Sequence, residues 1–221
     1  MSMRPPLLPA LGASLLLLGS GHCPPFAVAS DSSAEKDLLA TLQETGLEEK
    51  WRVEQGAWEI RDGVLRASAP SMADALASVR CPLHGSDAEC EIRFRFLGGA
   101  KAFHITFKPE EGDLEKEGLL FSVVAARTST KIIRHRDRSL PGDQNRAVAA
   151  IFHPLNDEEW HTLKIRSAGE EVTVTIDEEA PIRASDPSFA IEKSCFFLRL
   201  GGGQMEIDRF VITVAETASP E

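Results

Sequence analysis

The residues in this sequence whose types and spacing suit chemistry are polar side chains set one position apart from large apolar ones. Glu91, Arg93 and Arg95 interleave with Ile92, Phe94 and Phe96, and His104 and Thr106 interleave with Phe103, Ile105 and Phe107. Arg134, His135 and Arg199 fall in comparable runs. A period of two sends neighbouring side chains to opposite faces of a strand, so these polar residues collect on the outward side of a sheet. Arginine forks on such a face bind an anionic or polyhydroxyl ligand, and a histidine beside Arg93 is held neutral, as a base requires. Arg93, Arg95, His104, Arg134 and Arg199 are therefore the candidate ligand-binding residues. The competing reading is a solvated face of compensating charges, because any half-exposed sheet turns polar residues outward and each such pair contributes little.

Other chemistry is weaker. Cys81 and Cys90 flank the polar connection PLHGSDAE, and a disulfide between them would close a short loop and contribute on the order of 2–3 kcal/mol. With Cys195 they form no C-x-x-C and no paired-histidine pattern, which argues against zinc; the alternative to a staple is three small buried apolar residues. The chain has no tyrosine and three tryptophans. Trp51, Trp58 and Trp160 sit where core or hairpin packing explains them, so no aromatic platform for sugar stacking is evident.

The formal net charge of −10, with lysine and arginine scattered, argues against nucleic acid. No apolar run approaches the roughly 18 residues of a membrane span. Residues 1–29 have the form of an export signal: Arg4, then the apolar run Leu7 to Leu18, then Ala27-Val28-Ala29 as an A-x-A cleavage site. Cys23 invites a lipid-anchored alternative, but Ser20-Gly21-His22 lacks the small residue needed next to it. A secreted or periplasmic protein follows, with residues 30–46 as a helical segment, 47–215 as one β domain and 216–221 as a disordered tail.

The elements that must position the polar face are strands joined by tight turns. In Trp160 to Ile176, closing a loop at Ser167 to Glu170 sets Leu163 against Val174, Ile165 against Val172, Thr162 against Thr175 and Arg166 against Glu171. Asp62-Gly63 predicts a type I′ turn that pairs Ile60 with Leu65, Trp58 with Ala67 and Glu59 with Arg66. A turn at Gly98-Gly99 sets Phe94 against Phe103, Ile92 against Ile105, Arg93 against His104 and Glu91 against Thr106. A loop at Gly201 to Gln204 sets Leu200 against Met205, Leu198 against Ile207 and Arg199 against Glu206, with a bulge at Asp208-Arg209 where the alternation breaks. LLFSVVAA reads as a strand covered on both faces. Pro181 marks a strand at Ile182 as an edge. Ser32 capping and Glu35 three residues later predict a short N-terminal helix with Leu38, Leu39 and Leu42 on one stripe and Gly46 as its stop. About a dozen strands and one helix predict an all-β, two-sheet antiparallel jelly-roll sandwich.

The stretches WRVEQGAWEIRDGVLRAS, DEEWHTLKIRSAGEEVTVTIDEEAPI and FFLRLGGGQMEIDRFVIT resemble the concanavalin-like lectin and glucanase superfamily, especially exported laminin-G-like and 3-keto-disaccharide hydrolase-type domains. The resemblance covers about Trp51 to Thr213 and implies a carbohydrate-binding module. Its alternatives are a hydrolase or lyase on 3-keto-disaccharides or related glycosides and, third, a protein-binding envelope component. The marks are architectural and carry little information about activity. The hydrolase-like members show an N-S-G-I-type strand where this chain has AFHITF, which puts catalysis in doubt. Laminarinase-type glycosidases of the same fold read E-x-D-x-E where this chain has Glu206-Ile207-Asp208-Arg209-Phe210, so the second carboxyl of a retaining pair is missing. Glu206 is expected to pair with Arg199. The resemblance also admits calcium at a sheet rim, although EEGDLEKE and DEE lack an EF-hand pattern and read as solvated loops; no other cofactor is expected.

Overall fold

The computed structural model describes residues 35–47, 51–70, 76–109, 118–137 and 139–215. The expected export signal, Ser32 of the expected capping box, the acidic run at 110–117 and the tail lie outside these residues. The described chain is an all-β sandwich of two antiparallel sheets with one short helix. One sheet runs β13 (Ile182–Ser185), β12 (Glu171–Ile176), β11 (His161–Ala168), β6 (Ala88–Leu97), β15 (Gln204–Val214), β4 (Val64–Ser68) and β3 (Ala57–Arg61), with β1 (Glu35–Asp37) pairing the far half of β15. The other runs β10 (Arg146–Phe152), β9 (Ser129–Arg134), β8 (Phe121–Ala126), β7 (Ala102–Pro109), β14 (Lys193–Gly201), β5 (Leu76–Gly85) and β2 (Arg52–Gln55).

The core lies between the sheets and is built from one set of alternate residues on each strand. Cys90, Ile92, Phe94 and Phe96 of β6 and Phe103, Ile105 and Phe107 of β7 are all buried in it. The rings of Phe94 and Phe103 sit 5.2 Å apart, and Trp51 meets Phe196 and Phe210 edge-on at 6.4 and 6.0 Å. Such aromatic pairs add to the burial of their area because edge meets face.

Turns with unambiguous chemistry form as expected. Asp62 and Gly63 both take positive φ (53° and 80°), and β3 pairs β4 as Ile60↔Leu65, Trp58↔Ala67 and Glu59↔Arg66. The bulge in β15 is present between Ile207 and Arg209. In the β11–β12 hairpin the turn is tighter than expected. Ala168 pairs with Glu171, so Leu163 meets Ile176 and Ile165 meets Val174. The slip is two residues, and a slip of two leaves every side chain on its own face. β13 is an edge strand, and β8 is buried on both faces over Phe121 to Ala125.

Two expected hairpins are instead arches between sheets. The Gly98-Gly99 turn carries the chain from β6 in one sheet to β7 in the other, and Gly202-Gly203 carries it from β14 to β15. Phe94 and Phe103 do face each other, but across the core. Arg93 and His104 therefore point away from opposite sides of the sandwich. The same holds for Arg199 and Glu206. The β5–β6 connection also changes sheets, so Cys81 and Cys90 belong to different sheets and the expected staple is not formed. All three described thiols are free and buried, and burial raises that of Cys81 and pushes that of Cys90 up to about 12. The helix α1 spans Leu38–Thr45 and is capped by Asp37, whose carboxylate accepts from the backbone of Leu39 and Ala40. Glu35, expected inside a capping box, belongs to β1, because that segment completes the β15 ladder before the helix begins.

Candidate functional site

The outer face of the eight-stranded sheet collects the charges of β4, β6, β11 and β15, and they neutralise one another. Glu206, buried at the centre, accepts from Arg66 Nε at 3.0 Å and from Arg95 Nε and Nη2 at 2.8 and 2.6 Å. Its expected partner Arg199 lies on the other sheet; cross-strand pairing with β4 and β6 brings Arg66 and Arg95 instead. Arg93 meets Asp208 at 3.2 Å, Arg209 and Lys164 share Glu91 at 2.7 and 3.1 Å, and Arg166 meets Glu89 at 2.8 Å. The guanidinium groups of Arg93 and Arg95 lie over the Trp160 ring at 5.1 and 4.6 Å, so this tryptophan is half-buried under cations on the outer face and is not core. Two open grooves of about 430 Å³ each mark the face, and the paired charges form their walls. Glu206 has both oxygens occupied by arginine, which leaves it no free edge for glycoside chemistry.

The outer face of the seven-stranded sheet differs. Cross-strand register makes its rungs explicit: Ser78, Arg199, His104, Val124 and Lys131 form one, and Arg80, Phe197, Thr106, Ser122 and Ile133 the next. Thr106, Ser122, Val124, Cys195 and Phe197 are all nearly inaccessible, with Thr106 1% and Ser122 3% exposed, yet none of them belongs to the core between the sheets. The middle of this face is therefore covered by side chains outside the inter-sheet core. It carries a relay: Thr106 Oγ1 and Ser122 Oγ are 2.8 Å apart, and Ser122 Oγ lies 2.6 Å from His135 Nε2. The residue after β9 thus reaches back over β8, which is why a serine is tolerated in the apolar run LLFSVVAA.

His104 shares this face with Thr106, on the same strand. Burial pushes its pKa down to about 4, and the positive charges of Arg199 and His135 act in the same direction, so the ring is neutral at ordinary pH. Arg199 lies beside it on the next strand, with its guanidinium 4.6 Å over the Phe197 ring. Arg80 donates from Nε to Cys195 Sγ at 3.3 Å.

The five expected ligand-binding residues thus divide three ways. Arg93 and Arg95 are on the self-neutralised face, and His104 and Arg199 are adjacent on the outer face of the seven-stranded sheet. Arg134 is on neither. It has the parity of core-facing Ile132 and is buried in an ion pair with Asp143, with Asp186 at 3.2 Å on its other side. It ties the loop after β9 to the turn before the 3-10 helix Pro187–Ala190, a structural role. Residues not singled out by sequence reasoning but present on the outer face of the seven-stranded sheet are Ser122, Arg80 and Lys131. Ser122 carried a signal, since a hydroxyl inside a doubly buried strand must find a partner. Among the described residues no three histidine, cysteine or acidic side chains converge to hold a metal ion.

Comparison with protein-family models and with curated proteins yields no match. Solved structures do share the architecture. The carbohydrate-binding module CBM66 from Bacillus subtilis aligns with a TM-score of 0.52 and 18% identity, over 75% of this chain and 92% of that one. The exoplasmic/lumenal domain of VIP36 in its Ca2+/Man3GlcNAc-bound form aligns with a TM-score of 0.55 and 14% identity, over 77% and 85%. SCLam, a non-specific endo-β-1,3(4)-glucanase of family GH16, aligns with a TM-score of 0.54 and 13% identity, over 76% and 85%. The fold of this chain is that of the concanavalin-like sandwiches. No helix among the described residues is long and apolar enough to cross a membrane.

Proposed function

We propose that this chain is an exported carbohydrate-binding sandwich whose glycan lies across the outer face of the seven-stranded sheet. The observation that carries the reading is the pair on that face formed by the neutral ring of His104 and the guanidinium of Arg199 on the next strand, which meets no carboxylate among the described residues. Sugar recognition uses such a surface, with few fixed polar groups among apolar ones. The names of the structural neighbours, a carbohydrate-binding module, a lumenal domain in a Man3GlcNAc-bound form and a glucanase, support the same ligand class. Export rests on the form of residues 1–29 and is checked by the mass of the secreted protein: a chain beginning after Ala29 is expected, and one beginning at Met1 rejects export.

A glycan array tests the binding reading. The full chain is expected to retain a defined set of glycans, and His104→Ala with Arg199→Ala is expected to abolish retention while circular dichroism remains unchanged. Retention unaffected by that double substitution would move the site elsewhere, and silence across the array would favour the reading of a protein-binding envelope component. A hydrolase or lyase on 3-keto-disaccharides or related glycosides is the second reading. Its support is the neutral His104 next to a cation, the arrangement a general base and a charge stabiliser require. Turnover of 3-keto-glycosides by the wild-type chain, absent in His104→Ala, would establish it.

A further inference from the structure

The two outer faces treat their cations in opposite ways. On the eight-stranded sheet Arg66, Arg93, Arg95, Lys164, Arg166 and Arg209 each meet a carboxylate. On the seven-stranded sheet Arg52, Arg80, Lys131 and Arg199 make no ion pair among the described residues, although the chain as a whole carries a net charge of −10. Among the described residues most cations of the first face are paired, Arg183 excepted, whereas these four of the second meet no carboxylate, which leaves them open to a ligand. The four follow the register of the sheet. Arg52 is the Cα partner of Arg80, Arg80 sits one strand over and one rung along from Arg199, and Arg199 shares its rung with Lys131. From β9 to β2 they span five strand spacings, about 24 Å. That is a track and not a point, so the ligand is extended.

We infer that this face binds a polyanionic glycan, one carrying carboxylate or sulfate groups along its chain. The inference rests on the carbohydrate reading above and narrows it. Guanidinium forks take carboxylate and sulfate bidentately, and Arg199 is further fixed by stacking on Phe197. The neutral His104 lies between the cations, where sugar hydroxyls need a group that both donates and accepts. Among the described residues Glu54, an exposed residue of β2 whose charge reaches Arg199, stands against them. Nucleic acid is the other extended polyanion, but the overall acidity opposes it.

The test is calorimetry or biolayer binding of the full chain to alginate and polygalacturonate (carboxylate), dextran sulfate (sulfate), dextran and mannan (neutral) and single-stranded DNA, at 50 and 300 mM NaCl. Binding to one or both acidic classes is expected, weakened about tenfold or more by the higher salt, and which class binds identifies the anionic group. Arg199→Gln and, separately, Lys131→Gln are each expected to lower affinity for that polymer, Arg199→Gln by about tenfold or more, while Arg166→Gln on the other face leaves it unchanged. Two independent positions guard against loss of fold at one. Neutral glycans binding as well as acidic ones, without salt dependence, would overturn the inference and leave the carbohydrate reading intact. No glycan binding at all would remove both, and DNA binding as tightly as the uronates would reduce the track to an unselective polyanion surface and also overturn it.

Discussion

Replacing His104 by glutamine should flatten the response of this fold to mild acid. The ordinary histidine pKa of 6.5 falls to about 4 in the native state, chiefly because the ring is buried and secondarily because Arg199 and His135 are close. The sign follows from proton binding: between these two values the unfolded chain holds a proton that the native chain refuses, so stability decreases as pH falls. With those two pKa values the native state at pH 5 loses about 2 kcal/mol relative to pH 7.5, and about 3 kcal/mol once the pH is below 4. Glutamine keeps a neutral, hydrogen-bonding side chain at that position but cannot titrate. Urea unfolding at pH 7.5 and 5.0 is the assay. The wild-type chain is expected to lose about 2 kcal/mol more than His104→Gln over that interval, which for a domain of this size is a difference of roughly 4–8 °C in Tm. A direct check is the NMR titration of the His104 ring, expected to have its midpoint near 4. Parallel stability curves for the two proteins, or a ring midpoint near 6.5, would refute the assignment of His104 to a desolvated position against a cation.

Three further outcomes follow from other parts of the fold. Asp143 has its pKa lowered from 3.8 to about 2 by the backbone N–H of Asp137 and the Arg134 guanidinium, so its contribution is complete above 3.8 and disappears as pH falls through 2; Asp143→Asn should lower stability at pH 7 and remove the loss in that window, below the one assigned to His104. Gly203→Ala should cost about 3 kcal/mol or more in chemical denaturation, because φ is +56° there and an added Cβ would run into the backbone of Ala100 and Gly99 where the β14–β15 arch meets the β6–β7 arch. The thiols of Cys81, Cys90 and Cys195 should resist alkylation in the native protein and react together on unfolding without reductant, as read by intact mass; a mass 2 Da low for a disulfide would contradict the free-thiol arrangement.

How much of this was legible in the sequence depends on which physical constraint was local. The inward residues of β6 and β7, the Asp62-Gly63 turn and the bulge at Asp208 follow from period and turn chemistry, which act over a few residues. The β11–β12 register slipped by two because Gly169 serves a tighter turn as readily as a longer one, and alternation cannot distinguish registers that differ by two. The start of α1 moved to Asp37 because Glu35–Asp37 finds a long-range partner in β15, and no local cap signal competes with a ladder.

The larger misreading concerns Gly98-Gly99 and Gly201 to Gln204, and its cause is general. A pair of glycines between two alternating strands can fold them side by side or turn one over onto the opposite sheet, and both arrangements bury the same residues. Phe94 opposite Phe103 satisfies the pattern either way, at 5.2 Å across the core as well as it would have beside it. Only the pairing of β6 with β11 and β15, and of β7 with β8 and β14, breaks the tie, and those partners lie far along the chain. Function is where the two answers diverge. A hairpin would have placed Arg93 beside His104 and Glu206 beside Arg199, a mixed and neutral cluster on one face. The arch separates them, so that Glu206 is consumed by Arg66 and Arg95 while Arg199 and His104 are left together without an acid between them. Among the described residues Arg52, Arg80, Lys131 and Arg199 meet no carboxylate because the arches put Glu89, Glu91, Glu206 and Asp208 on the other side of the core.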